Sequence, residues 1–105
     1  MTKYLVLYRS PMTADDQMSQ VSAEQAQAGM DAWNTWGQHA GGAIVDMGSP
    51  TRVVEAAGDT ADPVGGFSIL QADSREALDE VLQGHPHTAM GGSIEILEFL
   101  PMPGM

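Results

Sequence analysis

The order in which short apolar strands and amphipathic helices alternate constrains this chain more than any other feature. Alternating or β-branched apolar runs predict strands, and apolar residues recurring every three or four positions predict helices. The segments follow the order strand, helix, strand, strand, helix, strand. That order indicates an α+β, ferredoxin-like βαββαβ domain, in which an antiparallel four-stranded sheet carries two helices on one face. The predicted strands are residues 4–9, 43–47, 66–72 and 93–100.

Capping residues, glycines and prolines mark the ends of the predicted helices and the loops between elements. Capping boxes open both helices, and glycines end them. Loop 10–21 is polar, and loop 48–65 has a length typical of binding loops, with a short hairpin arm predicted at 51–55. Pro86 stiffens the turn 85–87, and the proline-containing tail 101–105 cannot continue the last strand. The boxes are Ser22 with Gln25 and Asp73 with Glu76, and the helices end at Gly41 and Gly84.

The composition limits the classes of partner. The 105 residues fit one domain spanning 1–105, and 43% of them are hydrophobic. Four Lys and Arg against 14 Asp and Glu give a formal net charge of -10, a surface that phosphates and anionic lipids repel. We therefore expect no nucleic acid and no membrane as partner. The lack of cysteine and a first apolar run too short for a signal peptide favour a cytoplasmic protein.

Both faces of the predicted sheet are apolar. In the first strand, Tyr4, Val6 and Tyr8 point to one face, whereas Leu5 and Leu7 point to the other. Two helices can cover only one face, and a large exposed apolar face is unusual in a soluble monomer. We therefore expect a homodimer with its two sheets packed face to face about a twofold axis. A monomer whose tail or long loop folds over the sheet is the alternative.

The βαββαβ topology gathers the chemically versatile side chains at one rim of the sheet. The first strand, the second strand and the second helix end at this rim, and the first helix starts there. His39, at the end of the first helix, falls at the opposite rim. The candidate site residues of the rim are His85, His87, Arg9, Tyr8, Asp46 and Gln25.

Each candidate has a functional and a structural interpretation. His85 and His87 are candidate acid–base groups because imidazole changes charge near neutral pH; alternatively they bond the last carbonyls of a helix. Arg9 either holds an anionic ligand group through a forked pair of hydrogen bonds or forms an ion pair with a nearby carboxylate. Asp46 either faces solvent or pairs with a rim histidine and tunes its pKa. Tyr8 and Gln25 complete the predicted binding site.

No metal or cofactor is expected. A His-x-His pair can bind zinc or iron, but no Glu-x-x-His or cysteine partner stands at ligand spacing. Trp33 and Trp36 lie on or beside the apolar stripe of the first helix. We expect them to form core, or a wall between helix and sheet.

Several segments resemble the YCII-related family, close to its DGPF branch. They are the first strand at 3–8 (KYLVLY), the helix end and turn at 84–87 (GHPH) and the closing strand at 92–96 (GSIEI), with SILQADS at 68–74 in support. The resemblance spans nearly the whole chain. It implies a dimeric α/β barrel of two ferredoxin-like subunits, in agreement with the two apolar faces of the strands.

The resemblance also implies a site that this chain does not reproduce. Some members pair a helix histidine with an aspartate in the turn before the last strand, and a few catalyse elimination on chlorinated aromatic intermediates. Here the first helix has no histidine near its start, His85 stands in place of the aspartate, and DPVG at 62–65 replaces the DGPF signature. A reversed dyad of His85 or His87 with Asp46 or Asp31 stays open, although helical periodicity places Asp31 on the polar face.

These observations predict a small-molecule-binding homodimer with a rim pocket in each subunit and a small anionic or aromatic ligand. If the protein is an enzyme, we expect a cofactor-free lyase or isomerase in which His85 or His87 moves protons and Arg9 holds the anion. The alternative hypothesis is a non-catalytic module for ligand sensing or protein interaction, with the acidic surface as its interface.

Overall fold

The computed structural model describes residues 1–58 and 62–102, which form an α+β fold on one antiparallel sheet. Its α-helices and strands are β1 (Thr2–Arg9), α1 (Ala14–Gln20), α2 (Ala23–Ala40), β2 (Ile44–Asp46), β3 (Val64–Ala72), α3 (Arg75–Leu82), α4 (Pro86–Ala89) and β4 (Ser93–Glu98), with a 3-10 turn at Gly41–Ala43 between α2 and β2. The strands lie in the spatial order β2-β3-β1-β4, and β1 pairs with both β3 and β4. Without the two short helices, the order of elements is βαββαβ. The predicted α+β class with a four-stranded antiparallel sheet is therefore confirmed.

Capping chemistry explains where the two long helices begin. The Ser22 side chain accepts the Gln25 N–H and the Gln25 side chain accepts the Ser22 N–H, which confirms the first predicted capping box. The second box was placed wrongly, because Ser74 rather than Asp73 is the N-cap of α3 and accepts the Ala77 N–H. Ser and Asp are equally good N-caps, so residue type alone does not tell which of two adjacent positions is the cap.

Short helices replace two segments that the sequence assigned to irregular structure. Predicted loop 10–21 contains α1, which Thr13 caps by accepting the Asp16 N–H. The predicted turn 85–87 is the start of α4, with His85 as N-cap and Pro86 in the first turn. Neither helix is long enough to show apolar periodicity, so only capping and proline signals could have revealed them.

Loop 48–65 and the strand ends differ in detail from expectation. The arm predicted at 51–55 is wrong, because those residues form no strand; next to them, Pro50 forms an isolated bridge with Gly66. Strand β3 begins two residues earlier than expected, at Val64, and β4 ends at Glu98. Residues 59–61 of the predicted loop and 103–105 of the predicted tail lie outside the described residues.

Helices α2 and α3 pack on one face of the sheet. The strand residues that alternate toward them are buried, while their neighbours on the opposite face are not. In the part of the chain that the structure describes, no helix is apolar and long enough to cross a membrane. The core comprises Tyr4, Val6, Tyr8, Trp36, Ala40, Leu70, Ala72 and Leu78.

The opposite face of the sheet, here called the open face, carries Leu5, Leu7, Phe67, Ile69 and Leu97. Cross-strand pairing places these side chains in one patch: Leu5 lies opposite both Ile69 and Leu97, and Leu7 opposite Phe67. Leu97 is 42% exposed, and the other four are only partly buried. The helices therefore leave a continuous apolar surface on this side of the sheet.

Candidate functional site

His85 lies at the centre of an aromatic cluster. Its imidazole centroid is 4.4 Å from Trp36, 4.6 Å from Trp33 and 5.0 Å from Tyr8, and the residue has no exposed surface. The two tryptophans come from α2 and the tyrosine from β1. The tryptophans therefore form the wall between helix and sheet that their spacing indicates, and that wall encloses a histidine.

The hydrogen bonds around His85 fix its charge and its tautomer. The His87 backbone N–H can only donate, and it donates to Nδ1 of His85 (3.0 Å). A neutral imidazole with Nδ1 as acceptor carries its proton on Nε2, and this nitrogen lies 3.2 Å from the Tyr8 hydroxyl. Tyr8 in turn donates to Ser68 Oγ (2.8 Å), and Ser68 donates to the Met47 carbonyl (2.7 Å). Every group in this chain of hydrogen bonds is satisfied with His85 neutral.

Burial supports the neutral form of His85. Desolvation, with a smaller contribution from nearby His87, lowers the pKa of His85 from 6.5 to about 4. Burial likewise raises the pKa of Tyr8, with the Ser68 hydrogen bond opposing the shift. A ring with both nitrogens occupied and no solvent contact is poorly suited to exchange protons with a ligand, so this geometry favours a structural role for His85. The role differs from the expected one, because the ring caps the start of α4 and bonds Tyr8 instead of the last carbonyls of α3.

His87 is arranged differently. Its Nε2 lies 2.8 Å from the Arg9 carbonyl oxygen, an acceptor, so Nε2 carries a proton. Its Nδ1 has no hydrogen-bond partner among the described residues. Because every buried side-chain nitrogen or oxygen there has a partner, Nδ1 is not buried and reaches solvent, in keeping with the partial burial of His87. His87 thus presents one anchored nitrogen and one free nitrogen at the rim.

Arg9 connects the rim to the open face. Its carbonyl holds His87, while its guanidinium donates through Nε to Glu95 Oε1 (3.0 Å) and through Nη1 to the Asp62 carbonyl (2.7 Å). Glu95 lies opposite Leu7 in the sheet, so the ion pair sits at one end of the open face. Arg9 therefore forms an ion pair, as one of its two interpretations predicts, while its role in ligand binding stays a prediction; Nη2 makes no hydrogen bond within the described residues.

The remaining candidates have local structural roles. Asp46 is exposed and accepts the Gly48 N–H (2.8 Å) rather than a histidine proton. Gln25 belongs to the capping box of α2. His39 lies away from the cluster, with Nε2 3.4 Å from the Glu80 carbonyl. In the described residues neither turn histidine bonds a carboxylate, so the structure does not form the reversed dyad.

Sequence reasoning missed three residues that build the site. Ser68 is a buried hydroxyl, and its place between inward-facing Gly66 and Leu70 is the signal that could have found it. Glu95 was assigned only to a strand. Gly92, which packs against the His87 ring, has no signal beyond being one of a glycine pair.

Comparison with known proteins places this chain in a family. The family model of the YCII-related domain matches residues 4–103. The chain belongs to the YCII-related family. No curated protein matches it. A similar solved structure is 5-chloro-2-hydroxyhydroquinone dehydrochlorinase (TftG) from Burkholderia phenoliruptrix AC1100 in complex with 2,5-dihydroxybenzoquinone, with a TM-score of 0.58 and 17% sequence identity over 95% of this chain and 94% of that chain.

This YCII-related protein shares its fold with the dehydrochlorinase, and at that identity the likeness extends to the fold alone. The predicted family is confirmed, whereas membership of the DGPF branch stays a prediction. Within residues 1–58 and 62–102, no group of three or more His, Cys, Asp or Glu side chains could hold a metal ion.

Proposed function

We propose that the protein is a homodimer whose open faces pack against each other as a dimeric α/β barrel. The apolar open face supports this arrangement, because a patch of this kind on a soluble protein usually marks an interface. In the described part of the tail, Leu100 is 77% exposed and Met102 is 65% exposed, and in the long loop Val54 is 93% exposed. These side chains do not cover the sheet, which favours a second copy over the monomeric alternative.

We further propose a ligand site at the rim of each subunit, where the open face ends at Arg9 and Glu95. The Arg9 Nη2, which has no partner among the described residues, and the carboxylate of Glu95 offer a hydrogen-bond donor beside an acceptor, next to the apolar side chain of Leu7. Such a surface suits a small molecule with an apolar or aromatic body and polar oxygens. The dehydrochlorinase of the same fold is in complex with a small dihydroxybenzoquinone, which makes a small-molecule ligand reasonable here.

The observation that carries the proposal is the His87 Nδ1, which has no partner in the described part of the chain. In the proposed reaction, Nδ1 takes a proton from a ligand atom, and the imidazolium that forms keeps its Nε2–H on the Arg9 carbonyl. The proton then returns from Nδ1 to another ligand atom, or to a group that leaves the ligand. This is cofactor-free lyase or isomerase chemistry, to which a positioned general base contributes about 10²- to 10⁴-fold in rate.

A second function, ligand sensing or protein interaction without catalysis, has one observation in its favour. Arg9 is paired with Glu95 and His85 is enclosed, so within residues 1–58 and 62–102 only His87, of the two candidate histidines, has a ring nitrogen without a partner. Catalysis usually combines several groups, whereas binding needs only a complementary surface. In either function we propose a cytoplasmic location, in line with the absence of cysteine.

An NMR titration of the three histidines, with and without a set of aromatic acids and lactones, tests the proposal. We expect the resonances of His87 to shift on ligand addition and those of exposed His39 to stay unchanged. His87→Asn should abolish turnover of a bound ligand, with His39→Asn as matched control. Binding without turnover would favour the sensing function, and no shift at His87 with any compound would contradict a ligand site at the rim.

A further inference from the structure

The turn between α4 and β4 places a glycine directly under the imidazole of His87. Gly91 adopts a left-handed conformation (φ +89°), and the Gly92 N–H then donates to the His87 carbonyl (3.0 Å). The next residue, Ser93, pairs with Arg9 in the sheet. The backbone at Gly92 is therefore held on both sides, by α4 and by β1.

A side chain at this position would occupy the space of the His87 ring. A Cβ built on Gly92 overlaps Nε2 and Cε1 of His87 and lies 2.7 Å from Cδ2. All three atoms belong to the ring itself, and the same ring bonds the Arg9 carbonyl through Nε2 (2.8 Å). Since the backbone is held, the ring rather than the glycine would have to move, and Nε2 would leave Arg9.

We propose that Gly92 is a positioning residue for His87. The missing side chain keeps the imidazole where Nε2 is anchored on Arg9, so that Nδ1 alone exchanges protons with a ligand. This inference rests on the proposed role of His87, and it assigns to Gly92 the selection of the reacting nitrogen. Gly92 itself touches no ligand atom in this scheme.

Protection of imidazole N–H protons tests the proposal without any ligand. Anchored N–H protons exchange slowly with water. At neutral pH, NMR spectra of the protein should therefore show protected Nε2–H signals from both His85 and His87. Gly92→Ala should remove the His87 signal and leave that of His85 as an internal control. Gly42→Ala is the matched variant, since a Cβ there meets nothing within 4 Å, and it should keep both signals.

A thermal double-mutant cycle gives a second, independent measurement. Gly92→Ala should lower the Tm in the parent protein, and the loss should disappear in a His87→Ala background, where the ring is absent. An equal Tm loss in both backgrounds, or a persistent His87 N–H signal in Gly92→Ala, would overturn the proposal. Failure of the proposed function has a different signature, namely a wild-type His87 that responds to no compound.

Discussion

Replacing His85 with asparagine should remove most of the pH dependence of stability between pH 7.5 and pH 5. Asparagine retains an oxygen that can cap α4 by accepting the His87 N–H. The variant therefore removes the titrating ring but keeps a cap at the start of the helix. It also loses the ring that fills the space between Trp33, Trp36 and Tyr8. We therefore expect lower stability at neutral pH, but a flatter pH profile.

The expected magnitude follows from the pKa of His85, which burial lowers from 6.5 to about 4. Between these values the unfolded chain binds a proton that the folded chain does not, so stability is complete above pH 6.5 and falls as the pH drops toward 4. At about 1.4 kcal/mol per pH unit, the full loss is about 3 kcal/mol. About 2 kcal/mol of it should occur by pH 5, before most carboxylates are protonated.

Urea denaturation at a series of pH values, at one protein concentration, measures this difference. Wild type and His39→Asn should both lose about 2 kcal/mol between pH 7.5 and pH 5, whereas His85→Asn should lose far less. If His85→Asn is too unstable to measure, direct NMR titration of His85 in the wild type gives the same information. An equal loss in all three proteins, or a His85 that titrates near 6.5, would refute the buried neutral histidine.

Three further perturbations probe other parts of the structure. Tyr8→Phe should cost about 1–3 kcal/mol in urea denaturation, because the buried His85 Nε2–H loses its acceptor and the buried Ser68 Oγ loses a donor; a neutral effect would argue against the hydrogen-bonded chain. Leu7→Glu should convert the proposed dimer to monomers in sedimentation equilibrium, while Met30→Glu, on an exposed position of α2, should not; a wild-type protein that sediments as a monomer would contradict the dimer. Gly48→Ala should destabilise by more than about 1 kcal/mol, because φ is +84° and a Cβ would overlap a carbonyl oxygen of β3. Gly42→Ala should be nearly neutral by the same measurement, and equal effects at both glycines would count against the strained turn at Gly48.

Local signals located the main elements of the fold. The Ser22–Gln25 capping box set the start of α2, and the alternating residues of β1 set its two faces, because both patterns depend on near neighbours in the chain. The same local logic misplaced the cap of α3 by one residue, where Asp73 and Ser74 are chemically equivalent choices. It missed α1, whose seven residues bury no side chain and so show no periodicity.

The rim site was predicted as a set of residues but not as an arrangement. Topology brought Arg9 next to the histidine turn, as the strand order required. Topology did not predict that Arg9 would pair with Glu95, or that Asp46 would accept from its own loop, since several carboxylates were available to Arg9 and several donors to Asp46.

The order of elements, the two apolar sheet faces and the presence of both histidines at one helix end can be predicted from the sequence, because these features follow from local spacing and chain connectivity. The difference between the two histidines arises from tertiary packing. His85 becomes buried and neutral because Tyr8, Trp33 and Trp36, from two other elements, close around it. His87, two residues later, is only partly buried; its ring packs against Gly92 and bonds the Arg9 carbonyl through Nε2, and its Nδ1 has no partner among the described residues. Burial depends on long-range packing, which residue spacing does not encode.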